Sequence, residues 1–148
     1  MAVLSLLVGA IQFIRLSGWY DQRIWSRPII WVLHLAYASI ALGFVFKGLA
    51  LLDWLPSSSA IHALGFGGIG LITLGMMARV SLGHTGRMLE LPALTVWGIR
   101  LLTLGAIIRF AATLLSNEQR MLLLIASAIC WVLAFSAFFK DYAPMLIR

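Results

Sequence analysis

His34, His62 and His84 are the chain's three histidines, and Arg100 and Arg109 are arginines set inside apolar stretches. Neutral imidazole is a common ligand for metals and for haem iron. A guanidinium pairs with a carboxylate, a propionate or a carbonyl. Such groups are costly among apolar neighbours, so each needs a partner. At 1.5 Å per residue, His34 lies about 9 Å past Pro28, and His84 follows the end of the next apolar run, so these two can share a level. His62 stands roughly 30 Å along from the His84 level, so the three cannot ligate one metal. For each, the alternative is a hydrogen-bonded interior or interfacial histidine.

Arg100 and Arg109 are nine residues apart. On a helix they face opposite sides, about 13 Å apart along the axis, and cannot clamp one small anion. Arg109 shares the level of His62, and Arg100 that of His34; the alternative for both is snorkelling to headgroups. On α-helical geometry His62, Thr73 and Met76 fall within about 40° of one stripe. Met76 is a soft copper ligand in principle but lies too far along the axis to join His62, which makes it a packing residue. Cys130, the lone cysteine, sits in an apolar run as a small buried hydrophobe. Asp21, Asp53, Glu90, Glu118 and Asp141 all fall in links or ends. No phosphate loop, zinc cluster, carboxylate pair or Ser-His-Asp arrangement is present, so no catalytic residue is assigned.

The elements that must position these residues follow from composition. Of 148 residues 62% are hydrophobic and 11% charged, with a mean hydropathy of +1.01; soluble domains carry about a quarter charged residues. Apolar runs over 29–52, 60–80, 93–115 and 121–139 are each long enough to span a bilayer. The fold expected is an all-α polytopic transmembrane helix bundle: four full spans plus a short N-terminal apolar helix, in a single membrane domain over 1–148. The run Met1 to Ile14 is marginal for a span and lacks a signal peptide's basic start and cleavage site. Pro28 and Pro92 stand just before spans. The links 53–59, 81–91 and 116–120 are short enough to make neighbouring helices antiparallel. Arg15–Arg27 forms the first link, whose Trp19, Tyr20 and Trp25 suit the headgroup level. Five glycines between Gly65 and Gly75 allow close helix approach.

The net charge of +6 does not imply nucleic acid, because the basic residues gather at segment ends rather than on a soluble face. Arg15, Arg23, Arg27, Arg79, Arg87, Lys140 and Arg148 fall on one side, Lys47 and Arg120 on the other: seven against two. That bias places the C-terminus in the cytoplasm.

The stretch HALGFGGIGLITLGMMARVSLGHTGR (His62 to Arg87), the WVLHLAY of Trp31 to Tyr37 and the closing YAPMLIR (Tyr142 to Arg148) resemble the NnrS family in sequence and spacing. The resemblance is to the C-terminal part of a typical member, which has many more helices. It implies a bacterial inner-membrane protein containing haem and copper, associated with nitric oxide metabolism, nitrosative stress and denitrification. By the same resemblance His34, His62, His84, Arg79 and Arg87 occupy family positions; from the residue types themselves the three histidines are read as metal ligands, and Arg79, Arg87, Arg100 and Arg109 as cofactor-binding residues that would pair with haem propionates. The lipid bilayer, nitric oxide, and a partner membrane chain or second copy are the partners expected. A non-catalytic scaffold or assembly subunit, and a short paralogue or remnant without its own cofactor, are the alternatives.

Overall fold

The computed structural model describes residues 1–115 and 117–147, without the side chain of Asn117. Ser116, expected to open the last link, and Arg148, counted among the basic residues, lie outside the described residues. Five helices follow one another: α1 (Ala2–Gly18), α2 (Pro28–Ala50), α3 (Ser57–His84), α4 (Ala93–Thr113) and α5 (Asn117–Leu146). No strand occurs among the described residues. The last four are long and apolar enough to cross a membrane, and α1 is a shorter apolar helix. Their outward residues are apolar, for example Ile69, Ile107, Ile129 and Phe139. A surface like this is tolerated in lipid, not in water. The chain is a membrane protein.

With no hydrophobic driving force between helices in lipid, small residues set the packing. A Cβ on Gly75 would lie 2.8 Å from Val32 Cγ1, and one on Gly68 2.6 Å from Ile40 Cγ1, so α3 lies tight on α2. On Gly98 a Cβ would meet the Ala134 carbonyl oxygen at 2.9 Å, which brings α4 and α5 into backbone contact. Cys130, expected to be buried, is half-buried, and its Cβ fills the notch at Gly105. α1 lies antiparallel along most of α2: Leu6 packs at Gly48, Val45 at Gly9, and Tyr37 donates to Gln12 Oε1.

The helix boundaries depart from the apolar runs in three places. α1 continues past Ile14 to Gly18, because Arg15 folds over the Trp19 ring and the Ser17 hydroxyl donates to the Ile14 carbonyl. Arg15 therefore sits on a helix, not in the first link. α3 runs on to His84, which puts that histidine in a final helical turn rather than in the link. The motif LGHTGR is the stop: Gly86 takes φ 65°, and the Arg87 N–H donates to the Leu82 carbonyl at 3.0 Å. That left-handed close is open to glycine without cost. α5 extends through Lys140 and Asp141 to Leu146, and its Asp141 is used against α4.

Residues Ala63–Ile69 of α3 form a π-helical turn, which α-helical spacing does not anticipate. The wider turn rotates His62 away from Thr73 and Met76. Thr73 and Met76 are exposed, whereas His62 is half-buried toward α4 and α5. The single stripe expected for these three residues is thus broken.

Candidate functional site

The three histidines lie in three separate settings. His34, on α2, is held between backbone carbonyls. Its Nδ1 lies 3.1 Å from the Ile30 oxygen and its Nε2 3.4 Å from the Trp19 oxygen. A neutral ring donates from one nitrogen only, and here both nitrogens face acceptors. No lone pair is left pointing at open space for a metal. In the tautomer protonated at Nε2, His34 donates to the Trp19 carbonyl and ties the end of α1 to α2.

His62 lies at the opposite end of the bundle, within electrostatic reach of Arg109 and Arg120. This is the level shared with Arg109 that the rise per residue gives. Arg109 donates from Nη1 to Ser127 Oγ at 3.2 Å and lies 5.7 Å from the Phe66 ring centroid; its buried Nε has no partner among the described residues. Next to this group the buried hydroxyls of Ser59 and Thr113 lie 2.8 Å apart and join the start of α3 to the end of α4.

His84 is different. It is exposed, and it lines a cavity of about 390 Å³ with Met76, Arg79, Val80, Gly83 and Leu89. The helix stop at Gly86 fixes its position. Arg79 is five residues back, and Val80 one turn back, along the same helix. Arg87 lies beyond the stop and is exposed. The cavity thus joins an accessible imidazole, a guanidinium and an apolar wall. These three groups suit an iron centre, a carboxylate and a flat apolar ring respectively. It is a shallow, open hollow on the surface of α3, with Leu89 of the following link at its edge.

Arg100 is on the face of α4 opposite Arg109, as nine-residue spacing requires. Its guanidinium lies 4.8 Å from the Trp97 ring centroid, and it lines a cavity with Trp25, Trp31, Leu35 and Thr103. Of the residues read as chemically competent, the structure brings together His84 with Arg79 and His62 with Arg109. His34 and Arg100 lie in other settings, and Arg87, three residues after His84, does not line the same cavity.

A copper site asks for several imidazole, thiolate or thioether donors at one point. Among the described residues no three His, Cys, Asp or Glu side chains gather in that way. Met76 and His84, eight residues apart on one helix, are separated by about 12 Å.

Sequence spacing missed Asp141. Its Oδ2 accepts from the Thr95 N–H at 2.9 Å and the Thr95 hydroxyl at 2.6 Å, which caps the first turn of α4 from α5. Thr95 at the third helical position was the available signal, since the first N–H groups of a helix need acceptors.

The family model described as NnrS protein matches residues 1–148. The match takes in the N-terminal run as well as the three motifs. No curated protein and no solved structure matches.

Proposed function

The chain belongs to the NnrS protein family, and on that premise we propose that it is a haem-binding, multi-pass membrane protein of the response to nitric oxide and nitrosative stress. The observation that carries this reading is the accessible imidazole of His84 on a cavity shared with Arg79. In this reading His84 would hold the iron, Arg79 would pair with a propionate carboxylate, and Met76, Val80 and Leu89 would give the ring an apolar wall. When bound, haem supplies an iron position that takes nitric oxide. The open side of the cavity is closed by lipid, by a second copy or by a partner membrane chain. His62 and Arg109 serve the opposite end of the bundle, and His34 serves packing. The residues do not fit an internal copper centre, so no role is given to copper.

The orientation follows from charge. Among the described residues, Arg15, Arg23, Arg27, Arg79, Arg87 and Lys140 lie at one end of the bundle, against Lys47 and Arg120 at the other. That bias supports a cytoplasmic C-terminus, and membership of the NnrS family supports a bacterial inner membrane as its location. A scaffold or assembly subunit is the second reading, favoured by the one-sided cavity, which a partner helix across Met76 and Val80 would complete.

The test is the haem content of the detergent-purified chain, expressed with ample haem, for wild type and the single variants His34→Ala, His62→Ala and His84→Ala. His84→Ala should lose haem while the other two retain it. Equal retention in all three, with wild type loaded, would refute the assignment; an apo wild type that folds well would favour the scaffold.

A further inference from the structure

α2 and α4 do not close on each other along the half of the bundle that carries Arg100. They leave a groove floored by α3. At its mouth is a cavity of about 350 Å³ lined by Trp25, Trp31, Leu35, Arg100 and Thr103. A second cavity of about 260 Å³ shares Leu35 and Thr103 with the first and continues along Leu42, Gly67 and Ile107. The groove ends at Phe46 and Phe110, whose rings stack at 4.6 Å and bridge the two helices. The hydroxyl of Thr103 donates to the Ile99 carbonyl at 2.9 Å, so the wall is apolar in effect.

The groove's length and charge specify an occupant. From Arg100 to Phe110 is about 15 Å along α4, beginning about 10 Å past Ala93 at its start, a length that an acyl chain can follow within a hydrocarbon core of about 30 Å. Arg100 reaches back over Trp97, toward the N-terminus of α4, and so toward the interface. Trp25 and Trp97 are both exposed there, as rings at headgroup level are. None of the three helices that form the groove contains an aspartate or glutamate. An arginine in that position has no counter-ion on its own walls, and a phosphate matches its fork of donors. The groove's lining includes no histidine, cysteine or methionine, so it is not a second haem site.

We propose that this groove holds one anionic phospholipid, with its phosphate on Arg100 and an acyl chain lying between α2 and α4 as far as the Phe46–Phe110 stack. Basic pockets between transmembrane helices take anionic headgroups in this way. The site is independent of the cavity at His84.

The experiment is native mass spectrometry of the full chain after delipidation and exposure to phosphatidylglycerol or to phosphatidylcholine of the same chain length. One phosphatidylglycerol should remain per chain at collision energies that strip phosphatidylcholine. Arg100→Gln should weaken its retention about fivefold, the effect of one basic side chain near an anionic lipid. Leu42→Trp, which fills the groove from its exposed rim, should abolish retention without changing charge. Arg109→Gln, an equal charge loss on the opposite face, should leave it unchanged. Equal retention of the two lipids, or loss with Arg109→Gln equal to that with Arg100→Gln, would overturn the proposal. If Arg100→Gln fails to fold, Leu42→Trp decides: unchanged retention there overturns it.

Discussion

His34 on α2 places its Nε2 3.4 Å from the carbonyl oxygen of Trp19, fifteen residues earlier, while its Nδ1 lies 3.1 Å from the oxygen of Ile30. The ring closes the junction between α1 and α2. His34→Ala should lower stability by about 1 kcal/mol, the net worth of an ordinary hydrogen bond, without altering haem content. Thermal unfolding in detergent, read alongside the absorption spectrum of the same sample, separates the two effects.

Two glycines make a matched pair. Gly98→Ala would drive a methyl to 2.9 Å from the Ala134 backbone oxygen, so α4 and α5 must part. A loss of about 1–3 kcal/mol is expected, as for overpacking in general. Gly83→Ala meets nothing within 4 Å among the described residues and, in the last turn of α3, should be neutral to stabilising by up to about 1 kcal/mol. Unfolding midpoints in the same detergent compare them.

Asp141 caps α4 through two short bonds to Thr95. Hydrogen bonds to a charged acceptor contribute about 1.5–3 kcal/mol, and a carboxylate at a helix N-terminus also meets its dipole. Asp141→Ala should cost about that much. Thr95→Val, which keeps the backbone N–H bond, should cost less. A double-mutant cycle on unfolding free energy measures their coupling, and additive losses would show that the two do not interact.

How far the sequence reaches is clear from these residues. The four spans are legible because bilayer thickness fixes the length of an apolar run, and the close helix approaches because glycines mark them. The shared level of His62 and Arg109 follows from the rise per residue. Partners from distant segments are not legible: the Trp19 carbonyl below His34, or Thr95 opposite Asp141, which makes a polar residue extend α5 where hydropathy ends the run. The π turn at Ala63–Ile69 defeats angular arithmetic, since that assumes 3.6 residues per turn throughout.

Asp53 has φ 60°, a left-handed conformation at the end of α2, where the Trp54 N–H donates to the Leu49 carbonyl at 3.0 Å. Gly86 performs the same closure at the end of α3. An aspartate there bears a steric cost of about 1 kcal/mol that glycine avoids. Asp53→Gly should therefore raise the unfolding midpoint, and a lowered midpoint would show that the carboxylate has a stabilising contact.

The central claim, haem held at His84, is tested most directly by visible absorption spectra of the haem-supplemented, purified chain before and after nitric oxide, for wild type and His84→Ala. A wild-type Soret band that shifts with nitric oxide, and is lost in His84→Ala, is the expected result. A band that survives in His84→Ala with the same nitric oxide shift would contradict it.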